Sequence, residues 1–290
     1  MGETLQATES SNGSCRGRGE ASSYGTHQPP PMAAPLLWMV RWGLARGAIS
    51  RWLRRVWKLR LPNVVDVKRR GIRYRLNVSD NVTDAKILLS SKFYDGVEID
   101  HLARTCVDGV FIDIGANTGY YSLNLAKAGA RIVLAIEPNP PTFHRLEFNV
   151  KCNGFAKSSI RPIQSAIGPA GTSELHLTAS LGSASLTPLE DARYGTVQVQ
   201  SLPLLDLLRR QEIEAIDGLK IDIEGYEFDA LAPFFCHAPQ SLLPRCVVVE
   251  VCNSHAWESD VIKLLAENGF QVTTVTRSNA VLHRFNQRQN

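Results

Sequence analysis

Short runs of this chain place carboxylates where apolar strands end, a pattern suited to holding a charged ligand or moving a proton. The run Leu219-Lys220-Ile221-Asp222-Ile223-Glu224-Gly225-Tyr226-Glu227 reads as a strand over 219–223 that delivers Asp222 and Glu224 to its carboxyl end. Side chains two apart along a strand share a side, so the two carboxylates are expected to point together. Like charges that close raise the pKa of one member, which suits a general base working near neutral pH. Asp222 is the first candidate base and Glu224 the second. His255, in the loop Cys252-Asn253-Ser254-His255, is the third. In the alternative without chemistry, one carboxylate caps the next helix and the other pairs with Lys220. Asp222, Glu224 and Glu250 are also hard oxygen donors of the kind divalent cations take, but no metal is assigned.

A second constellation lies upstream. Val110-Phe111-Ile112-Asp113-Ile114 reads as a buried strand, followed by Gly115-Ala116-Asn117-Thr118-Gly119 and a helix beginning at Tyr120. In α/β sheets ligands bind beyond the carboxyl ends of parallel strands, and glycine lets the backbone approach them closely. The spacing rejects a dinucleotide fingerprint, which would need Gly where Asn117 and Tyr120 stand, and no Gly-Lys-Ser/Thr of a phosphate loop follows. Glu137, in Ala135-Ile136-Glu137-Pro138-Asn139, lies 22 positions after Gly115. That is close to the roughly 20-residue offset at which an acidic side chain reaches ribose hydroxyls. The two runs together point to a nucleoside held without pyrophosphate contacts.

The elements that must position these residues alternate regularly from residue 109 onward. Strands are expected over 110–114, 131–136, 160–166, 219–223 and 246–251. Helices are expected over 120–127, 141–152, 205–211, 228–235 and 258–268, and strands over 270–276 and 280–285 close the chain. Such alternation implies a mostly parallel sheet covered on both faces. The irregular stretch 171–201 contains Gly182-Ser183-Ala184-Ser185, readable as part of an acceptor pocket or as a hairpin turn.

Asp113-Ile114-Gly115-Ala116-Asn117-Thr118-Gly119, Ile136-Glu137-Pro138-Asn139, the pair Asn153-Gly154 and the run Leu219–Glu227 together resemble the FkbM-type family of class I methyltransferases. The likeness spans about 93–276. It implies a Rossmann-like α/β fold with a seven-stranded, mostly parallel sheet whose last strand is antiparallel, and S-adenosyl-L-methionine as cofactor. The cofactor residues it implies are Asp113, Gly115, Asn117, Gly119, Tyr120, Glu137, Pro138 and Ala166. The implied reaction is O-methylation of a sugar, glycolipid or secondary metabolite. Two alternatives stay open at this point: a nicotinamide-dependent oxidoreductase on a similar fold, and a non-catalytic nucleoside-binding module.

Composition narrows the partners. The 290 residues carry a net charge of +4, but residues 1–70 hold twelve Lys/Arg against four Asp/Glu while the remainder is slightly acidic. A basic face for nucleic acid is therefore not expected on the catalytic body, and a small-molecule, glycan or glycolipid acceptor is. Residues 1–35, rich in Ser, Gly and Pro, read as a disordered leader, and 36–60 as a basic amphipathic helix. Its tryptophans fit either a membrane surface or packing on the catalytic domain. Residues 61–106 read as a hairpin, about Arg70-Gly71, and helix, and 107–290 as the methyltransferase domain. The six cysteines form no zinc or C-x-x-C spacing, consistent with reduced thiols in a cytoplasmic protein, peripheral to the inner face of a membrane if residues 36–60 bind one.

Overall fold

The computed structural model describes residues 22–155, 158–178, 180–187 and 194–285. Most of the expected leader, residues 1–21, lies outside them. Residues 22–35 differ from the expectation: they lie against the first hairpin. There the carboxylate of Asp66 accepts from the backbone N–H groups of Gly25 and His27, and Arg75 donates to the carbonyls of Ser22 and Ser23. The same Arg75 pairs with Asp66 at 2.8 Å. A buried ion pair with spare hydrogen-bonding capacity thus holds a segment whose own composition carries no periodicity.

The chain continues through α1 (Ala34–Arg41), α2 (Gly47–Arg60), β1 (Val64–Arg69), β2 (Ile72–Asn77), α3 (Val82–Leu89) and α4 (Gly96–Thr105). The helix expected over 36–60 is therefore two, broken at Gly43, whose φ of 82° leaves the helical region. The α/β body follows as β3 (Val110–Ile114), α5 (Tyr120–Ala128), β4 (Ile132–Ile136), α6 (Pro140–Lys151) and β5 (Ser159–Ile163). Next come β6 (Ala166–Ile167), β7 (Gly171–His176), β8 (Thr196–Leu202), α7 (Leu204–Arg210), β9 (Gly218–Ile221) and α8 (Glu227–His237). The chain closes with β10 (Cys246–Glu250), α9 (Val261–Glu267), β11 (Phe270–Val275) and β12 (Asn279–Arg284).

The main sheet has seven strands in the order β11-β12-β10-β9-β3-β4-β5, with β12 antiparallel to both its neighbours and the others parallel. All residues of β3 and β9 are buried, as central parallel strands covered on both faces must be. One side of the sheet packs on α4 and α5 together with α2, α3 and the β1–β2 hairpin, where Leu53, Trp57, Tyr74 and Leu102 share a core with Phe111 and Leu125. The other side packs on α7, α8 and α9. Sequence order reverses between β3 and β9, and that switch point opens the crevice in which the motif residues meet.

Two of the expected elements differ in ways that bear on the layout of the fold. The strand expected over 160–166 divides into β5 and β6, and β6 leaves the main sheet for a three-stranded sheet ordered β6-β8-β7. The last helix starts at Val261 rather than 258 because the Asp260 side chain accepts from the N–H groups of Ile262 and Lys263.

Candidate active site

The cleft at the switch point has about 1300 Å³ of space between its walls, part of it open to solvent. Its floor is the β3 loop. Gly115 sits at φ 74°, and a Cβ there would run into the carbonyl oxygen of Asp222. Only glycine lets the β3 and β9 loops close on each other here. Asn117, at φ 52°, donates its backbone N–H to Glu137 Oε2 at 2.9 Å, and the Asn139 N–H reaches Oε1 at 2.9 Å. Glu137 is buried, and burial outweighs both amides to push its carboxyl up to about 7.

Of the eight residues implied for the cofactor, Gly115, Asn117, Tyr120, Glu137, Pro138 and Ala166 line this cleft. Asp113 and Gly119 do not; they act from behind it. Asp113 is fully buried, and its Oδ2 accepts from the N–H and hydroxyl of Ser122 at 3.0 and 2.6 Å, tying β3 to the first turn of α5. Gly119 starts α5 at φ 93°, where a Cβ would lie 2.8 Å from Leu146.

The carboxylates of the β9 run reach the cleft by a different route from the one expected. The strand ends at Ile221, so Asp222 and Glu224 do not alternate along it. A turn carries them, with Glu224 at φ 57° and Gly225 at φ 99°. Glu227 makes that turn: its carboxylate accepts from the N–H groups of Ile223 and Gly225 and from Trp257 Nε1. Those amides are therefore not free for a ladder. Asp222 does pair with Lys220, at 3.6 Å, but no side chain caps α8; Glu227 braces the turn ahead of it instead. Lys220 is buried; its ammonium also donates to the Gly115 carbonyl at 2.8 Å and stands 3.7 Å from Asp113, joining the two loops.

Glu224 and Glu250 both line the cleft and share one donor. Asn253 Nδ2 lies 2.5 Å from Glu224 Oε2 and 3.3 Å from Glu250 Oε2. Burial and then the charge of Asp222 push Glu224 up to about 7, and the same two causes push Glu250 up to about 8. His255 sits apart, exposed in a 3₁₀ turn (Ser254–Ala256) and away from the cleft lining. Among the described residues no group of three or more His, Cys, Asp or Glu side chains is arranged to hold a metal.

Several lining residues went unread in the sequence. Tyr94 and Asp95, between α3 and α4, form one wall, and burial followed by Glu98 raises Asp95 to about 6. Gly182, Ser183 and Ala184 form another, so this stretch does line the cleft. It is held there by Ser185, whose hydroxyl donates to the Glu224 carbonyl at 2.9 Å.

This lining fits a positively charged nucleoside. Asp95, Glu137, Asp222, Glu224 and Glu250 outnumber Lys86 and Lys220 on it, and Lys220 is already engaged. A sulfonium is favoured by such a field, whereas a dinucleotide's pyrophosphate would meet carboxylates. The fold and this site define a class I methyltransferase, with S-adenosyl-L-methionine as its cofactor. The model of the methyltransferase FkbM domain matches residues 113–272, and the chain belongs to that family. It is similar to methyltransferase sdnD of Sordaria araneosa, 29% identical over 214 residues covering 62% of this chain and 82% of that protein. It is also similar to hexuronic acid methyltransferase AglP of Haloferax volcanii, 29% identical over 181 residues covering 59% of this chain and 67% of that one. Among solved structures, M. jannaschii TYW2 in complex with AdoMet aligns with a TM-score of 0.38 at 15% identity, covering 77% of this chain and 87% of that one.

Proposed function

We propose that this methyltransferase O-methylates a hydroxyl of a sugar, glycolipid or secondary metabolite, with Glu224 as the general base. The observation that carries this reading is the carboxylate group at the β9 end of the cleft, in which Glu224 sits beside Asp222 and shares Asn253 with Glu250. When bound, the cofactor supplies a methyl group made electrophilic by its sulfonium. The chain's own residues have two tasks. Gly115, Asn117, Tyr120, Glu137, Pro138 and Ala166 would hold the nucleoside, with Asp113 and Gly119 fixing the loop from behind. A hydroxyl, unlike an amine, must lose its proton during attack, and a positioned base contributes about 10²–10⁴-fold. Glu224, held near neutrality, would accept that proton, and Asp222 is the alternative base. The exposed position of His255 gives it no part in this scheme.

The archaeal relative named for a hexuronic acid supports a sugar acceptor. Residues 107–290 would carry the catalysis, residues 61–106 one wall of the cleft, and residues 36–60 a peripheral contact with a membrane surface. A labelled-methyl assay on an extract of the source cells, followed by mass spectrometry of the product, tests the acceptor. A methyl ether on a hydroxylated molecule is expected, and an N- or C-methylated product overturns the hydroxyl reading.

A further inference from the structure

Helix α2 is amphipathic twice over, and the fold uses only one of its two apolar stripes. Ser50, Leu53 and Trp57 are buried against the body. Ile49, Trp52, Val56 and Leu59 recur at steps of three and four on a separate face, and Ile49, Trp52 and Leu59 are exposed by 44%, 52% and 70%. At 100° per residue the buried stripe and this second stripe are separate. The sector on the far side of both carries Arg51, Arg55 and Lys58. The preceding helix and its turn add Trp38 and Trp42, exposed by 55% and 66%, with ring centroids 5.8 Å apart. Three of the protein's five tryptophans therefore stand in solvent within one short segment.

The charge of that segment names the occupant. Residues 34–60 contain seven Lys/Arg and no Asp or Glu. Neither α1 nor α2 is long and apolar enough to cross a membrane. A short helix with an apolar stripe, interfacial tryptophans and basic flanks lies in the plane of a bilayer, its stripe among the acyl chains and its cations against anionic headgroups.

We propose that α1 and α2 dock the enzyme on an anionic lipid bilayer through Trp38, Trp42 and the Ile49–Trp52–Val56–Leu59 stripe. The Leu53–Trp57 stripe meanwhile stays packed on the body. This rests on the peripheral reading of residues 36–60 and names the face, its orientation and the lipid charge.

Sedimentation of the full chain with vesicles tests it without any methyl transfer, so its outcome is independent of the acceptor. Binding is expected to vesicles containing about a third phosphatidylserine, at least about tenfold more tightly than to phosphatidylcholine alone, and to weaken with salt. Trp52→Glu should lower that partitioning about tenfold or more while S-adenosylhomocysteine binding, measured by calorimetry, stays unchanged. The triple variant Arg51→Glu/Arg55→Glu/Lys58→Glu, on a solvent-facing sector, gives the same readout should Trp52→Glu fail to fold. Equal binding to both vesicle types, or partitioning unaffected by these variants, overturns the proposal. So does lipid-independent dimerisation in sedimentation velocity that Trp52→Glu abolishes, which would assign the stripe to a second copy of the chain.

Discussion

Glu137, buried, and Glu224, half-buried, are carboxylates in the wall of one cleft, and both are raised to about 7. Their surroundings differ. At the β4 end each oxygen of Glu137 accepts one backbone N–H, so burial is opposed by donors fixed in the main chain. At the β9 end Glu224 receives a side-chain N–H from Asn253 and faces the charge of Asp222. The first arrangement fixes a geometry. The second sets Glu224 beside the charges of Asp222 and Glu227, so that a similar pKa arises from different surroundings. In the proposed scheme the group that would hold a ligand is satisfied by the backbone, and the group that would exchange a proton stands beside like charge.

The sharpest way to break this contrast is at the contact between the two ends. Gly115→Ala forces a side chain into the Asp222 carbonyl at a positive φ. It should cost on the order of 3 kcal/mol or more and abolish S-adenosylhomocysteine binding, as read by thermal unfolding and calorimetry. Wild-type affinity in this variant would show that the loops are not interlocked.

Next in size is Glu224→Gln, expected to lower kcat by about 10²–10⁴-fold while leaving S-adenosylhomocysteine affinity intact. The base works ionised, so in the wild type kcat/KM should rise with pH through about 7 and level off above it. The glutamine variant should lose that limb. Asp222→Asn removes a neighbouring charge that raises Glu224 and should move the limb to lower pH. A limb that survives Glu224→Gln and vanishes in Asp222→Asn would transfer the base to Asp222.

The smallest effect belongs to Asn253→Ala. Loss of its N–H destabilises the ionised form of Glu224, so the limb should shift to higher pH, with kcat/KM lower by about tenfold at pH 7. An unmoved profile would mean that Asn253 serves only the loop.

Much of the cleft wall at the β3 and β4 ends was legible in the sequence because its information is local. Gly115 and Glu137 sit at strand ends, and apolar runs locate strand ends well. The β9 end was read correctly in composition but not in shape. Alternation could not show that Glu227, three residues beyond Glu224, bends back to take the amides of Ile223 and Gly225. Tyr94, Asp95 and Asn253 were missed for a different reason: each comes from a loop whose position is set by tertiary packing. The left-handed conformation of Asp95, at φ 47°, leaves no mark in the residue pattern. In α2 the periodicity was plain, but which of two apolar stripes the fold would bury depended on partners far along the chain.

Among the described residues the three-stranded sheet β6-β8-β7 forms no ladder with the main sheet and has its own small core of Ala166, Leu175 and Val199. It nevertheless supplies a wall of the cleft. The β7–β8 ribbon can be lengthened, shortened or exchanged without breaking a ladder bond of the seven-stranded sheet. Under the proposed function, a change of acceptor preference made in that ribbon therefore leaves the β3, β4 and β9 strands that carry the rest of the cleft in place.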